Sequence, residues 1–326
     1  MPDRMRVVVA RRLPAAGLEE LARRFDVDAG ELSFDRDALL ERVRGAAAIV
    51  ADPTVPIDDE LLDAAGPSLR VVANFAVGYD NVDLDACRAR GVVVTNTPDV
   101  LTNATAELTV ALMLAAARRL GEAERILRAG RWQGWDPAGL LGSELSHSTI
   151  GIVGLGRIGG RVAELLHGFA PTGESAPRML YTGRTARPEA EAALGVRRLP
   201  LEELVEQADV VTLHASLTPE TRHLVDERLL ERFKPGAILV NTSRGALVDT
   251  PALVAALCTG RLGAAALDVY EHEPAVEPEL LELENVVLAP HIGSATARAR
   301  DAMARLAAEN VIAVLTGRQP LTPVVR

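Results

Sequence analysis

Three segments carry ionisable residues of types that act together on a carbonyl: "NTSRGAL" with Arg244, "DVYEHEP" with Glu273 and "LAPHIGS" with His291. A guanidinium grips a carboxylate in a bidentate fork and polarises a neighbouring oxygen. A carboxylate beside an imidazole favours the charged ring, which then holds a transferable proton near neutral pH. Each residue also has an ordinary reading: Arg244 as a surface ion pair, Glu273 as a solvated acid, His291 as a core histidine. Their shared placement argues for taking them together. Each follows an apolar run of strand character, and ligands of open α/β sheets collect at the carboxyl ends of strands.

A fourth segment, "GIVGLGRIGGRVAELL", places Gly154, Gly156 and Gly159 in a G-x-G-x-x-G spacing between an apolar strand and an amphipathic helix. Backbone approaches a pyrophosphate closely at such a turn, and the helix N-terminus offers N–H groups to the anion. The next strand ends at "LYTGR". An acidic residue there would hold both ribose hydroxyls of NAD but repel a 2′-phosphate. This chain has Thr182, Gly183 and Arg184 instead, with Arg187 close behind. Of its 35 basic residues only Lys234 is lysine, so an anion site here is built from arginine or backbone N–H groups. The spacing therefore predicts NADPH as the preferred cofactor, with NADH left open.

The elements that must position these residues read as two βα series. Short apolar runs at 6–10, 47–52, 69–76 and 91–96 alternate with helical patterns near 14–24 and 83–90, as in parallel sheets buried on both faces. One helical stretch is expected from Asp99, a plausible cap, to about Ala129. Six further runs follow, from "STIGIVGLG" through "RMLYTG", "ADVVTLHA", "GAILVNTS" and "LGAAALDV" to "NVVLAPH", matching the strand count of a dinucleotide-binding sheet. A last helix, about 294–316, has enough sequence to pack on the first domain. The segment "APTGESAP" (170–177) reads as a surface loop. The expected organisation is α/β: residues 1–98 and 291–326 form a substrate-binding domain, and 99–290 an NAD(P)-binding domain.

A chain of 326 residues fits two domains, and 48% hydrophobic with 25% charged residues suits a packed globular protein. A net charge of −10 argues against nucleic acid or an anionic membrane as partner. Cys87 and Cys258 lie far apart with no metal-ligand spacing, so neither a disulfide framework nor a metal site is expected. The start of the chain, "MPDRMRVVVARRLP", has too short an apolar run for a signal peptide, and a cytoplasmic location is the expectation.

Taken end to end, the motifs resemble the D-isomer-specific 2-hydroxyacid dehydrogenase family. The resemblance runs from "VVANFAVGYDNVDLDACRARGVVVTNTPDVLTNATAELTVALML" through "GIVGLGRIGG" and "NTSRGALVDTPALVAAL" to "ALDVYEHEP" and "APHIGSAT". Within the family, "NTPDVLTNATAE", "STIGIVGLGRIG" and "LYTGR" are most similar to the glyoxylate/hydroxypyruvate reductases. The resemblance implies two doubly wound domains, a Rossmann cofactor domain inserted into a flavodoxin-like substrate domain. It also implies that Arg244 holds the substrate carboxylate and carbonyl, that Glu273 supports His291, and that His291 is the acid/base. "AVGYDN" becomes a substrate loop whose Val77 and Gly78 N–H groups grip the carboxylate.

The same resemblance places "GRWQGWDP" in homodimer contacts, with one tryptophan reaching the neighbouring active site. Trp135 is assigned to substrate, while Trp132 is expected as a buried anchor, since large aromatics mostly serve packing. The cofactor set comprises Gly154, Leu155, Gly156, Arg157, Ile158, Gly159, Thr182, Gly183, Arg184, Arg187, Ala215, Ser216, Thr242, Ser243, Asp268 and Gly293. Many relatives have Val-Pro where this chain has Ala215 and Ser216, which makes the wall beside the cofactor more polar. The expected activity is NADPH-dependent reduction of small 2-oxoacids, glyoxylate and hydroxypyruvate above all. Dehydrogenation of bulkier D-2-hydroxyacids and a dinucleotide-sensing co-repressor role stay open.

Overall fold

Runs of valine, isoleucine and alanine too short for helices form the strands, and aspartates start many of the helices between them. A computed structural model describes residues 4–32, 35–170 and 176–325. Most of the expected loop at 170–177 lies outside the described residues.

The chain begins with β1 (Arg6–Val9), α1 (Ala15–Ala22), β2 (Asp26–Asp28), α2 (Arg36–Arg42), β3 (Ala48–Ala51), α3 (Asp59–Ala65), β4 (Val71–Asn74), α4 (Leu84–Ala89) and β5 (Val93–Thr95). Asp35, Asp58 and Asp83 cap α2, α3 and α4 by accepting the N–H groups of Ala38, Leu61 and Ala86 at 2.9, 3.1 and 2.8 Å. Loss of such a cap typically costs about 1 kcal/mol.

The middle of the chain holds α5 (Thr102–Ala117), α6 (Leu120–Arg128), β6 (Thr149–Val153), α7 (Arg157–His167), β7 (Arg178–Thr182), α8 (Pro188–Leu194), β8 (Arg197–Arg198), α9 (Leu201–Gln207) and β9 (Val210–Leu213). It continues through α10 (Glu227–Leu230), β10 (Ala237–Asn241), α11 (Thr250–Cys258), β11 (Leu262–Leu267), α12 (Pro278–Glu282) and β12 (Val286–Leu288). The chain closes with α13 (Ala297–Leu315) and β13 (Pro323–Val325).

These elements form two compact units, Met1–Leu101 with Ser294–Arg326, and Thr102–Gly293. In the first, the sheet order is β13-β5-β4-β3-β1-β2, parallel except for β13, which runs antiparallel to β5. This is the flavodoxin-like 2-1-3-4-5 winding with an added edge. Its helix α13 packs on α1 and the sheet. In the second, the parallel order β12-β11-β10-β9-β6-β7-β8 is the Rossmann winding, third strand to sixth with a seventh beyond. Strands β9 and β10 are buried along their whole length, as expected of strands covered on both faces.

Two expectations need correction. The six runs read as the complete Rossmann series include β12, the seventh strand, and omit the third, the two-residue β8. Its residues, Arg197 and Arg198, are exposed and charged, so no apolar run marks it. The helical stretch from Asp99 to Ala129 is two helices. Asp99 and Arg119 both have left-handed backbone, with φ of 69° and 50°, so α5 starts three residues past Asp99 and breaks before α6.

Candidate active site

Arg244 follows β10 in a turn shaped by a buried amide. Asn241 Nδ2 donates to the Arg244 carbonyl at 2.8 Å, and its Oδ1 accepts the Ser243 N–H at 3.0 Å. Ser243 Oγ donates to the Leu213 carbonyl at 2.8 Å, tying the turn to the end of β9. The next residue must be glycine: a Cβ on Gly245 would lie 1.9 Å from the Tyr270 carbonyl carbon. This approach brings the Arg244 turn against the loop after β11, which carries Glu273.

Glu273 and His291 form the pair that the sequence predicts. His291 Nδ1 lies 2.7 Å from Glu273 Oε2, and the Tyr270 N–H donates to Oε1 at 3.0 Å. A carboxylate only accepts, so Nδ1 carries the hydrogen. Nε2 makes no hydrogen bond among the described residues and is the ring atom that can exchange a proton with a bound molecule. Burial opposes ionisation of Glu273, but the hydrogen bond and charge of His291, the Tyr270 N–H and the charge of Arg244 outweigh it. They hold the carboxyl below its ordinary value.

The loop bearing His291 is itself anchored. His291 has left-handed backbone, φ 53°, and donates its N–H to the Asp268 carbonyl at 2.9 Å. Asp268, 1% exposed, accepts the Ile292 and Gly293 N–H groups at 2.7 and 2.8 Å. Burial raises its carboxyl above the usual range despite those N–H groups and the charge of His291. Asp268 and Gly293, read from sequence as cofactor residues, are thus bonded to each other beside the Glu273–His291 pair.

At the glycine turn the three glycines have separate reasons. A Cβ on Gly154 would meet the His214 carbonyl oxygen at 2.7 Å, and one on Gly159 would meet the Gly154 oxygen at 2.2 Å. A Cβ on Gly156 would meet nothing within 4 Å. Gly156 is the residue just before α7, and no side chain caps that terminus. The first and third glycines thus set the packing, while the second opens a cradle at a helix N-terminus, which fits a pyrophosphate. Leu155 is buried, and Arg157 and Ile158 open the first turn of α7.

Past β7, Arg184 and Arg187 are exposed, and Thr182 and Gly183 half-buried. The loop they share is held from two sides. Arg198 Nη2 donates to the Gly183 and Arg184 carbonyls at 2.6 and 3.2 Å, and the buried Tyr181 hydroxyl accepts the Arg187 N–H at 2.8 Å. Nothing in the sequence pattern marks Arg198 for this task, because β8 is too short to read.

At the end of β9, Ala215 is half-buried and Ser216 exposed. The neighbouring His214 Nε2 lies 3.0 Å from Thr212 Oγ1, and burial pushes the ring down to about 3, so it is neutral. Thr242 points its hydroxyl inward to Thr109 Oγ1 at 2.9 Å.

In the first unit, two amides pin the "AVGYDN" loop. Asn74 Nδ2 donates to the Gly78 carbonyl and Asn96 Nδ2 to the Val77 carbonyl, both at 2.8 Å. Asn81 joins through Asn74 at 3.1 Å and through the Val55 carbonyl at 2.9 Å. Thr322, near the chain end, donates its hydroxyl to the Asn96 carbonyl at 2.6 Å. The Val77 and Gly78 N–H groups donate to no group among the described residues. Sequence reasoning misses these asparagines; the signal is an asparagine ending β4 and another just past β5, at the carboxyl edge of the sheet.

Trp132 and Trp135 are 62% and 84% exposed. The expectation that Trp132 is a buried anchor is therefore wrong. The arm at 130–144 is exposed throughout, with no core face for a large ring to fill. No group of three or more potential metal ligands occurs among the described residues.

A Rossmann sheet with a glycine cradle, and a histidine–carboxylate pair beside an arginine at its carboxyl edge, define an NAD(P)-dependent oxidoreductase acting on a CH–OH group. The chain belongs to the D-isomer-specific 2-hydroxyacid dehydrogenases: the model of that family's NAD-binding domain matches residues 110–293. The glyoxylate reductase of Thermococcus onnurineus is 47% identical over 98% of this chain and 96% of its own length. A solved structure from Thermus thermophilus superposes with a TM-score of 0.91 at 47% identity, covering 98% of this chain and 100% of that one. The NADPH-dependent glyoxylate/hydroxypyruvate reductase of Sinorhizobium meliloti, solved with NADP and malonate, has a TM-score of 0.87 at 37% identity, covering 99% and 97%.

Proposed function

We propose that the chain reduces glyoxylate and hydroxypyruvate to the 2-hydroxyacids, with NADPH preferred over NADH. The observation that carries this reading is the 2.7 Å bond between Glu273 and His291, which leaves Nε2 to deliver a proton beside Arg244. The relatives named for glyoxylate and hydroxypyruvate reduction support the choice of substrate.

Arg244 holds the carboxylate and polarises the carbonyl, and the Val77 and Gly78 N–H groups are further carboxylate donors. Glu273 orients the ring through Nδ1, and His291 protonates the carbonyl oxygen from Nε2. The nicotinamide, when bound, supplies the hydride. Gly154, Gly156 and Gly159 would hold the pyrophosphate, and Thr182, Gly183, Arg184 and Arg187 the 2′-phosphate. A bidentate arginine makes an exposed phosphate contact strong enough to choose between the cofactors. Trp135 reaches the neighbouring subunit's substrate in a cytoplasmic homodimer.

The test crosses glyoxylate and hydroxypyruvate with NADPH and NADH. A higher kcat/KM with NADPH is expected, and Arg184→Asp should erode NADPH use first, by about tenfold or more, with NADH little changed. A parent that prefers NADH contradicts the phosphate assignment.

A further inference from the structure

The loop between β11 and the catalytic pair carries a second carboxylate with no part in the proposed reaction. Glu271 sits two residues before Glu273, and its side chain is only 7% exposed. Its Oε1 accepts from Arg222 Nη2 at 2.6 Å and lies 2.8 Å from His223 Nε2. On the other side of the His223 ring, Nδ1 is 4.0 Å from Asp249 Oδ2. His223 is held in left-handed backbone, φ 51°, with its N–H on the Ala246 carbonyl at 2.8 Å.

The cluster therefore joins three loops at the carboxyl edge of one sheet. Arg222 and His223 come from the chain after β9, Ala246 and Asp249 from the turn after β10, and Glu271 from the loop after β11. Arg244 lies at the head of the second loop and Glu273 within the third. Their backbones touch at Gly245, where a Cβ would also lie 2.3 Å from the Glu271 nitrogen. An exposed ion pair contributes little, but a carboxylate withdrawn from water and shared by a guanidinium and an imidazole nitrogen is not readily given up.

We propose that Glu271, gripped by Arg222 and His223, is a positioning residue that sets the Glu273–His291 pair in its productive geometry. This rests on His291 being the acid of the proposed reaction. Without the grip, the 270–273 loop shifts and Glu273 leaves hydrogen-bonding distance of the ring. The charged groups facing His291 are Glu273 by hydrogen bond and Asp268 by charge, with Arg244 acting on Glu273. Weakening the first of these removes the ring's hydrogen-bonded carboxylate, a change that the pH dependence of turnover reads.

The experiment measures kcat, each KM and Tm for the full chain and for Glu271→Ala, Glu271→Gln and His291→Ala between about pH 5 and 10, with glyoxylate and NADPH. Glu271→Ala should lower kcat about tenfold to a hundredfold, the scale of a misplaced catalytic group, with both KM values within about twofold. Its alkaline limb of kcat/KM should move to lower pH. Glu271→Gln, which keeps the acceptor oxygen, should restore most of kcat and the parent's limb. If Glu271→Ala keeps the parent's pH profile while His291→Ala is inactive, the positioning role alone is overturned. If His291→Ala turns over within a few-fold of the parent, the acid assignment falls and this inference with it.

Discussion

At the scale of single residues, the site depends on charges that hold one another. Glu273 is the clearest case, because its carboxyl is depressed below the ordinary 4.5 mainly through His291, against the opposing effect of burial. A depressed acid contributes stability that is fully present above its unfolded value and is lost as pH falls through its folded value. Glu273→Gln should therefore have a lower Tm than the parent at neutral pH, by a gap that stays constant down to about pH 5 and shrinks below it. Thermal melts across that window check this; a gap independent of pH would show that the Glu273 carboxyl is not depressed in the folded protein. The buried Cys87 thiol is pushed up to about 11 by desolvation first and by Asp83 second, so it is protonated at neutral pH and unreactive.

At the scale of elements, strands end where chemistry begins, and buried amides shape the turns beyond them. Asn96 holds the Val77 carbonyl, and loss of that bond leaves a carbonyl without its partner, a change worth about 1–3 kcal/mol. Asn96→Ala should raise the KM for glyoxylate about tenfold with kcat changed less, since only the loop proposed to bind substrate is loosened. An unchanged KM would remove Val77 and Gly78 from the substrate site.

The same scale explains which features are legible in the sequence. Arg244, Glu273 and His291 stand out because each follows an apolar run of strand character, and the glycine turn because its spacing sits between a strand and a helix. The strand β8 is hidden, since two exposed arginines carry no strand signal. With it goes Arg198, whose bonds to Gly183 and Arg184 exist only once β8 lies beside β7. Asn74, Asn81 and Asn96 are marked only by their place near strand ends, because their partners are mostly backbone carbonyls, which every residue has. Glu271 stands within "YEHEP" but reads only as a neighbour of Glu273, because Arg222 and His223 lie some fifty residues earlier.

At the scale of the whole molecule, the proposed homodimer can be tested on the exposed apolar residues of one segment. Leu120, Leu127, Trp132, Trp135 and Leu141 are each at least 60% exposed on α6 and the arm after it. Apolar patches of this kind on soluble proteins mark interaction surfaces. The protein should sediment as a dimer, and charged substitutions at Leu127 and Trp135 together should give a monomer with impaired turnover; a parent monomeric at micromolar concentration contradicts this. The central claim is that His291 protonates a 2-oxoacid as NADPH is oxidised. It is tested most directly by following NADPH absorbance after adding glyoxylate to the parent and to His291→Ala. The account predicts rapid loss in the parent and a rate about 10²–10⁴-fold lower in the variant, the usual contribution of a general acid. No loss in the parent, or a variant within a few-fold of it, would contradict the account.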